Sequence, residues 1–158
     1  MTKPEVINDA MVKRRTILWR MGERFAADYL EALGWTIVSQ NWRSGRNEID
    51  IIGLTRDGLL VFVEVKTRIT SVEPGVSMYG LESITYEKRH KLLVAANIYL
   101  HNHNLVDNGA RLDVIVVSYP RKEAAISLSR EELDNLDERT LRNNLEQPFA
   151  THIEQAFY

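Results

Sequence analysis

The sequence predicts an α/β fold whose main elements follow the order helix, strand, strand, strand, helix, strand. Three observations lead to this prediction. Apolar residues recur at helical spacing over residues 16–33 and again over 85–100. Two dense apolar runs lie within 47–68, where an Asp-Gly pair separates two strands. A third run, 112–117, is nearly unbroken and predicts a central strand covered on both faces.

The first helix is predicted from about Thr16 to Leu33. Gly34 supplies a stop signal directly after it. Residues 35–42 then predict the first strand, which leads into the basic loop 43–46. The buried stripe of this helix is predicted to consist of Leu18, Met21, Phe25, Ala26, Tyr29 and Leu33.

The later elements are predicted in the same way. A loop over 69–83 precedes the second helix, for which Thr85 is a suitable N-cap. Residues 124–128 predict a further strand, and Ser129 is placed to cap a helix from Arg130 to about residue 145. The chain is therefore predicted to be one domain: a flexible arm (1–12), a core (13–120) and an acidic addition packed on it (121–158).

Composition excludes several classes of protein. The 158 residues are 44% apolar and 27% charged, as is usual for one globular domain. The absence of cysteine excludes a disulfide, a thiol nucleophile and a thiolate metal site. No apolar stretch approaches membrane-spanning length and no signal-peptide core is present, so we predict a soluble, cytoplasmic protein without a membrane partner.

The charge is unevenly distributed around a net value of −2. Over residues 13–46 there are seven basic and three acidic side chains, whereas from 121 onward there are five basic and eight acidic. A local basic patch can hold a phosphate backbone on a protein of negative net charge. An unevenly charged solvated surface explains the same counts.

The segment 47–68, NEIDIIGLTRDGLLVFVEVKTR, predicts a β-hairpin whose loop decides which side chains meet. A two-residue turn would leave Glu64 on the opposite face from Asp50, because a slip of one residue reverses every side chain. A three-residue loop that ends with a left-handed glycine, Gly58, avoids this. We therefore expect Asp50 to lie opposite Glu64 and Glu48 to lie opposite Lys66.

Opposed carboxylates on paired strands repel each other and favour a cation between them. Magnesium prefers one or two carboxylates, with water and substrate phosphate completing its shell. Asp50, Glu64 and the Val65 carbonyl are thus the predicted ligands of Mg²⁺ or Mn²⁺. Lys66 would orient a metal-bound water, act as a base if its pKa is lowered, or stabilise charge on the phosphate.

A simpler interpretation fits the same pattern. Alternating charges on a hairpin usually form one solvated face of a half-buried sheet, with Glu48 and Lys66 as an ordinary ion pair. The apolar density argues against it, because Ile49, Ile51 and Ile52 and the run 59–63 are typical of a strand covered on both sides. Charges on a covered strand are paired or bind metal.

Asp50 followed by Glu64-Val65-Lys66 resembles the active-site signature of the PD-(D/E)xK nuclease superfamily. More closely, GERFAADYLEALGW (22–35), NWRSGRNEIDIIG (41–53), LVFVEVKTR (60–68) and HIEQAF (152–157) resemble the YraN family of small bacterial proteins. The resemblance implies a restriction-endonuclease-like core, with a mixed sheet flanked by helices. It also implies similarity to archaeal Holliday-junction resolvases.

The resemblance extends the list of candidate residues. It implies that Glu23 on the first helix is an extra ligand or holds a water, and the alternative is an ordinary carboxylate on the helix surface. In the predicted mechanism Glu23 and Glu48 tune the catalytic set Asp50, Glu64 and Lys66. The candidate contacts to nucleic acid are Arg43, Arg46, Arg68 and Lys88, with Trp42 as either a stacking surface or a core residue. Two departures from the family pattern are Asn47, where glycine is usual, and Arg89, where glutamine is usual.

The predicted function is metal-dependent hydrolysis of phosphodiester bonds by an endonuclease. The resemblance favours DNA over RNA, branched or otherwise structured DNA in particular, and a homodimer. The alternative is a non-catalytic module of nuclease-like fold that binds nucleic acid or a protein. A small-molecule phosphohydrolase is a third hypothesis, but the sequence has no glycine-rich phosphate loop to favour it.

Overall fold

A computed structural model of the protein describes residues 6–70 and 84–156, with side chains from residue 17 onward. The helices are α1 (Val6–Ala32), α2 (Tyr86–Asn102), α3 (Arg130–Asp134) and α4 (Glu138–Asn143). The strands are β1 (Thr36–Ser44), β2 (Asn47–Leu54), β3 (Leu60–Thr70), β4 (Ala110–Pro120) and β5 (Phe149–Ile153). The predicted order of elements through β4 is confirmed.

The five strands form one mixed sheet in the order β1-β2-β3-β4-β5. β3 and β4 are parallel, with Leu60 opposite Ala110 and Thr70 opposite Pro120. The other neighbouring strands are antiparallel. Parallel strands need a long crossover, and α2 provides it between β3 and β4. This mixed sheet with flanking helices confirms the predicted α/β class.

The β2–β3 hairpin has the predicted three-residue loop. Leu54 lies opposite Leu60 and Ile51 opposite Val63. Gly58 closes the loop at φ +84°, in the left-handed region that favours glycine, and its N–H donates to the Thr55 carbonyl at 2.9 Å. The register that places Asp50 at the position opposite Glu64 is confirmed.

The sheet is apolar on both faces because a helix covers each of them. α1 covers one face, where Met21 and Leu30 pack in one cluster with Ile51, Val63 and Ile115. α2 covers the other, where its buried side chains join Phe62 and its neighbours; these α2 residues are Leu92, Ala95, Ala96 and Tyr99. Each large apolar side chain buried in this way contributes about 1.5–3 kcal/mol to folding. The continuous apolar runs of β3 and β4 follow from this double cover.

The first helix differs in detail from its prediction, whereas the N-cap of the second helix is as predicted. α1 begins at Val6, so residues 6–12 are helical, whereas an arm was predicted there. Leu33, predicted to be buried, is 44% exposed because α1 ends one residue before it. The Thr85 cap is confirmed, with its hydroxyl accepting from the Lys88 N–H at 3.3 Å. Most of the predicted 69–83 loop lies outside the described residues.

The acidic C-terminal region also differs from its prediction. Residues Glu123–Ala125 form a 3-10 helix where a strand was predicted. The single helix predicted from Arg130 is two helices, because Asp137 accepts a hydrogen bond from the Thr140 N–H at 2.7 Å and caps a new helix. The buried leucines of this region, Leu133, Leu141 and Leu145, belong to the same core cluster as Met21.

Strand β5, which the sequence analysis did not predict, is tied to β4 by a buried carboxylate. Asp113 is fully buried and accepts two hydrogen bonds from Arg111, at 2.8 and 2.9 Å. It also accepts from His152 Nε2 at 2.8 Å and from the Gln155 N–H at 3.0 Å. Burial alone would raise the pKa of Asp113, but these donors outweigh it and lower the pKa.

Candidate active site

The candidate site lies where β2 and β3 separate. Their backbone pairing ends at Ile51 and Val63, and Asp50 and Glu64 are the next residues outward. Burial raises the pKa of Asp50, and the two carboxyl groups are close enough for the charge of Glu64 to raise it further. Asp50 Oδ2 accepts from the Val65 N–H at 2.7 Å, so a side chain replaces the next backbone bond between the strands. The strand ends therefore hold two carboxyl groups together at the edge of the paired region.

These groups line a cleft of ≈ 970 Å³ that α1, β1, β2, β3 and α2 surround. Every catalytic, metal-binding and nucleic-acid-binding residue predicted from the sequence lines it: Glu23, Arg43, Arg46, Glu48, Asp50, Glu64, Val65, Lys66, Arg68 and Lys88. The fold thus brings together side chains that are distant in the sequence. Trp42 does not line the cleft. It packs edge-on against Tyr99 at 5.4 Å, which agrees with the core interpretation of this residue.

Asn41 also lines the cleft, although the sequence analysis did not name it. On β1, Asn41 lies between Gln40 and Trp42, whose partners on β2 are Ile51 and Ile49, so its own position is opposite Asp50. Its φ is +51°, a left-handed conformation that asparagine tolerates better than most residues. Its side chain hydrogen-bonds the Glu23 carboxyl. An asparagine within a strand, where this residue is uncommon, was the only available signal.

The strand alternation also breaks at this point. Ile49 is buried in the cluster on the α2 face, whereas Ile51, two residues on, is buried on the α1 face. Two residues of the same parity would lie on one face of a regular strand. The irregularity at Asp50 and Asn41 explains how a carboxylate can face the cleft between two fully buried isoleucines.

The basic group nearest to the carboxylates is Lys66. Its Nζ lies 2.9 Å from Glu64 Oε1, and the two side chains are 18% and 20% exposed. Burial alone would lower the pKa of Lys66, but the Glu64 carboxylate, aided by Asp50, raises it. Lys88 is within hydrogen-bonding reach of Lys66, whose proximity lowers the pKa of Lys88. Lys66 is therefore a cation at neutral pH, which leaves the roles of water orientation and charge stabilisation and disfavours the role of base.

The predicted contact between Glu48 and Lys66 is wrong. Glu48 lies opposite Arg43 on β1, and Arg43 NH2 is 3.1 Å from Glu48 Oε1. Lys66 lies opposite Val116 on β4. The reason is that β2 turns away from β3 beyond Asp50 while remaining paired with β1. The simpler interpretation of the hairpin, which depended on a Glu48–Lys66 pair, loses that support.

Carboxyl groups are crowded in the cleft. Burial, and then the charge of Glu64, raise the pKa of Asp50 well above its usual value, although the Val65 N–H opposes the shift. Burial also raises the pKa of Glu23, with contributions from Glu48 and Glu64 that Asn41 and Arg20 oppose. Mutual repulsion of this kind is relieved when a cation binds.

The donor set fits a hard divalent cation with a partly open shell. Within residues 6–70 and 84–156, no three His, Asp or Glu side chains are grouped for a metal. Asp50 and Glu64 supply two carboxylates. The Val65 N–H points toward Asp50, and the carbonyl of a strand residue points to the same edge as its N–H. Two carboxylates and one carbonyl leave positions for water and phosphate, as Mg²⁺ prefers.

Glu23 is positioned by a close approach of α1 to β3. A Cβ built on Gly22 would lie 2.7 Å from both Cβ and Cγ2 of Thr67, closer than real Cβ atoms approach. Only glycine allows this contact, and Glu23 follows it directly in the cleft. The Gly-Glu pair thus fixes both the distance of the helix from the sheet and the position of the carboxylate.

We expect Gly22→Ala to destabilise the protein by about 1–3 kcal/mol, because the helix must move away from β3. On an open helix face the same change would stabilise the protein by about 1 kcal/mol through helix propensity. The sign of the change in the free energy of unfolding therefore shows whether α1 is in close contact with β3 at Gly22. Urea denaturation measures the effect, and Thr67→Ala provides a double-mutant cycle. The close-approach account predicts a smaller loss in the Thr67→Ala background. Equal losses in both backgrounds would contradict it.

The fold and cleft together define an α/β protein with carboxylates and a lysine at the ends of two paired strands. Residues 22–117 match the uncharacterised protein family UPF0102, and the chain belongs to this family. UPF0102 is the YraN family that the sequence motifs predicted. None of the helices within the described residues is long and apolar enough to cross a membrane.

Two relatives in the family align over nearly their whole length. A UPF0102 protein of Roseiflexus castenholzii is 39% identical over 119 residues, which cover 75% of this chain and 92% of that protein. One of Dehalococcoides mccartyi is 34% identical over 126 residues, covering 78% and 98%. Among solved structures, SfsA of Pyrococcus furiosus in complex with Ca²⁺ is similar at 15% identity and a TM-score of 0.26, over 66% of this chain and 58% of that chain.

Proposed function

We propose that this protein is a metal-dependent nuclease that hydrolyses phosphodiester bonds. The observation that carries the proposal is the meeting of Asp50 and Glu64 beside the Lys66 ammonium in a cleft with a basic rim. Paired carboxylates attract a divalent cation, and a lysine beside them attracts an anion. Hydrolysis of a phosphodiester is promoted by a metal ion and by a second positive charge near the attacked phosphorus, and this arrangement can provide both.

Each residue has a definite part in the proposed reaction. Asp50, Glu64 and the Val65 carbonyl would hold Mg²⁺ or Mn²⁺. When bound, the metal supplies a water of lowered pKa and positive charge for the phosphate. Lys66 contributes a second positive charge beside the phosphate and orients the attacking water. Glu23, held by Asn41, accepts a hydrogen bond from that water, and Glu48 holds Arg43 at the cleft wall.

The rim of the cleft provides the contacts to the substrate backbone. Arg43, Arg46, Arg68 and Lys88 line the same cavity as the carboxylates, and lysine and arginine are the usual partners of phosphate oxygens. Family resemblance favours DNA over RNA, and branched or structured DNA in particular, as the substrate. It also suggests a homodimer.

The test is a cleavage time course on labelled single-stranded, duplex, flapped and four-way-junction DNA and on RNA, with Mg²⁺, Mn²⁺ or a chelator. We expect cleavage only when metal is present. The cleavage rate of Lys66→Ala should be about 10²–10³-fold lower than that of wild type, which is the effect of removing one group that stabilises transition-state charge. Lys91→Ala is the matched control, since Lys91 lies on the rim and pairs with Glu87 at 3.2 Å. It should change the rate by less than about threefold. Equal rates for wild type and Lys66→Ala would refute the role of Lys66.

One observation favours the alternative of a non-catalytic module. The 2.9 Å ion pair between Lys66 and Glu64 neutralises part of the site without a metal. A module of this kind would hold nucleic acid through salt-sensitive contacts whether or not Mg²⁺ is present. Absence of cleavage on every substrate, together with binding that a chelator leaves unchanged, would establish the module instead of the nuclease.

A further inference from the structure

Trp19 is the exposed aromatic side chain at the mouth of the cleft. It is 51% exposed, whereas its neighbours on α1, Leu18 and Met21, are 3% and 1% exposed. A single exposed apolar residue is common on protein surfaces and needs no explanation. The surroundings of Trp19 are what distinguish it from the other exposed apolar residues, Leu33, Val38, Tyr86, Val106 and Ile126, none of which lines the cleft.

Trp19 is close to the candidate catalytic groups. It precedes Glu23 by four residues, so the two side chains lie one above the other on the same face of α1. Their separation along the helix axis is about 6 Å, similar to the spacing of neighbouring nucleotides in an extended strand. Both line the cavity that contains Asp50 and Glu64. A group bound on the Trp19 ring would therefore lie beside Glu23, in the cavity that also contains Asp50 and Glu64.

The charges around Trp19 identify the class of its ligand. Arg20 follows it directly on α1, and Arg43 and Arg46 line the same cavity. An aromatic ring within a basic groove is the arrangement by which proteins hold single-stranded nucleic acid, with bases stacked on the ring and phosphates on the cations. A negatively charged backbone with flat, apolar bases complements both features at once.

Base pairing limits which nucleic acids can use this ring. In a continuous duplex each base is already stacked between its neighbours, and its flat face is inaccessible to a side chain. A base in a single strand, a flap or an opened junction has a free face. We propose that Trp19 stacks on an unpaired base of the substrate, and that the site therefore selects strands with unpaired nucleotides over continuous duplex. This inference rests on the proposed nuclease function.

The experiment is fluorescence anisotropy of the full-length protein with a labelled oligonucleotide, as a single strand and as a perfect duplex of the same sequence. DNA and RNA strands are both used. Measurements in chelator separate binding from cleavage. Trp19→Ala should weaken single-strand binding by about 5- to 100-fold, the range for loss of one base–aromatic stack. It should weaken duplex binding by less than about twofold, and Trp19→Phe, which keeps a stacking ring, should retain most single-strand affinity.

Leu33→Ala is the matched control, because Leu33 is an exposed apolar residue directly after the last residue of α1 and outside the cleft. It should leave both affinities unchanged. Equal weakening of single strand and duplex by Trp19→Ala, or no weakening, would overturn the stacking role. In that case the nuclease proposal would still stand if the Trp19→Ala protein retained metal-dependent cleavage. If the wild-type protein binds and cuts no oligonucleotide, both proposals are overturned.

Discussion

Asp50→Asn is expected to abolish metal-dependent cleavage while making the metal-free protein more stable. The loss of activity should reach about 10³-fold or more, because a metal ligand that supplies several kcal/mol of transition-state stabilisation becomes neutral. Asparagine has nearly the same shape, and its side-chain oxygen can still accept the hydrogen bond that Val65 donates to Asp50. The change therefore removes the charge and preserves the geometry.

The gain in stability follows from the raised pKa of Asp50, whose causes are burial and the charge of Glu64. An acid with a higher pKa in the folded protein binds its proton more tightly there than in the unfolded chain. Wild-type stability should consequently fall as the pH rises from the unfolded pKa of an aspartate, about 4, to the raised folded value. Asp50→Asn lacks this loss and should be the more stable protein at neutral pH.

Thermal unfolding from acid to neutral pH, in chelator and with Mn²⁺ or Mg²⁺, measures both effects. For a chain of this length each kcal/mol shifts Tm by about 2–4 °C. Metal should raise the Tm of wild type and leave that of Asp50→Asn unchanged. Asp57→Asn, the same substitution in the exposed hairpin loop, is the control and should alter neither activity nor the response to metal. A lower Tm for Asp50→Asn at neutral pH in chelator would contradict the account of the site.

Asp113→Ala is expected to give the largest loss of stability, lowering the free energy of unfolding by about 3–5 kcal/mol. Asp113 does not line the cleft. Asp113 is the shared acceptor for Arg111, His152 and the Gln155 N–H. Its removal leaves His152 Nε2 and the Gln155 N–H without an acceptor and takes two hydrogen bonds from the partly buried Arg111 guanidinium, whose remaining carboxylate, Glu154, lies 3.4 Å away. Breaking a buried network of this kind costs more than losing any single hydrogen bond. β5 should therefore detach from β4 more readily.

Urea denaturation of Asp113→Ala, Asp113→Asn and Glu154→Ala separates this network from ordinary surface pairing. Asp113→Asn keeps one acceptor oxygen and should therefore lose less stability than Asp113→Ala. Glu154 is 64% exposed and lies 3.4 Å from Arg111, so Glu154→Ala should cost about 0–1 kcal/mol, as is usual for a surface pair. Because the pKa of Asp113 is lowered, wild-type stability should fall as the pH drops through that folded value. Similar losses for Glu154→Ala and Asp113→Ala would contradict the buried-network account.

Local rules were sufficient to predict the central part of the fold and the hairpin register that brings Asp50 to the position opposite Glu64. The period of the apolar residues predicted α1 through β4, and Gly58 predicted the three-residue loop, because few other residues adopt φ +84°. Loop length then determined the register, and the register placed Asp50 opposite Glu64. These relations act over a few residues of chain, so they can be inferred without knowledge of the packing.

Tertiary structure decided the features that depend on contacts between distant segments. Glu48 faces Arg43 because β2 leaves β3 beyond Asp50 and stays with β1, and no local rule predicts where two strands separate. Asn41 reaches Glu23 only because α1 lies over that part of the sheet. β5 has a weak local strand pattern and is held by the hydrogen bonds of Asp113, which is 39 residues from His152. The sequence by itself determined which residues could form a metal site, and packing determined which of them meet.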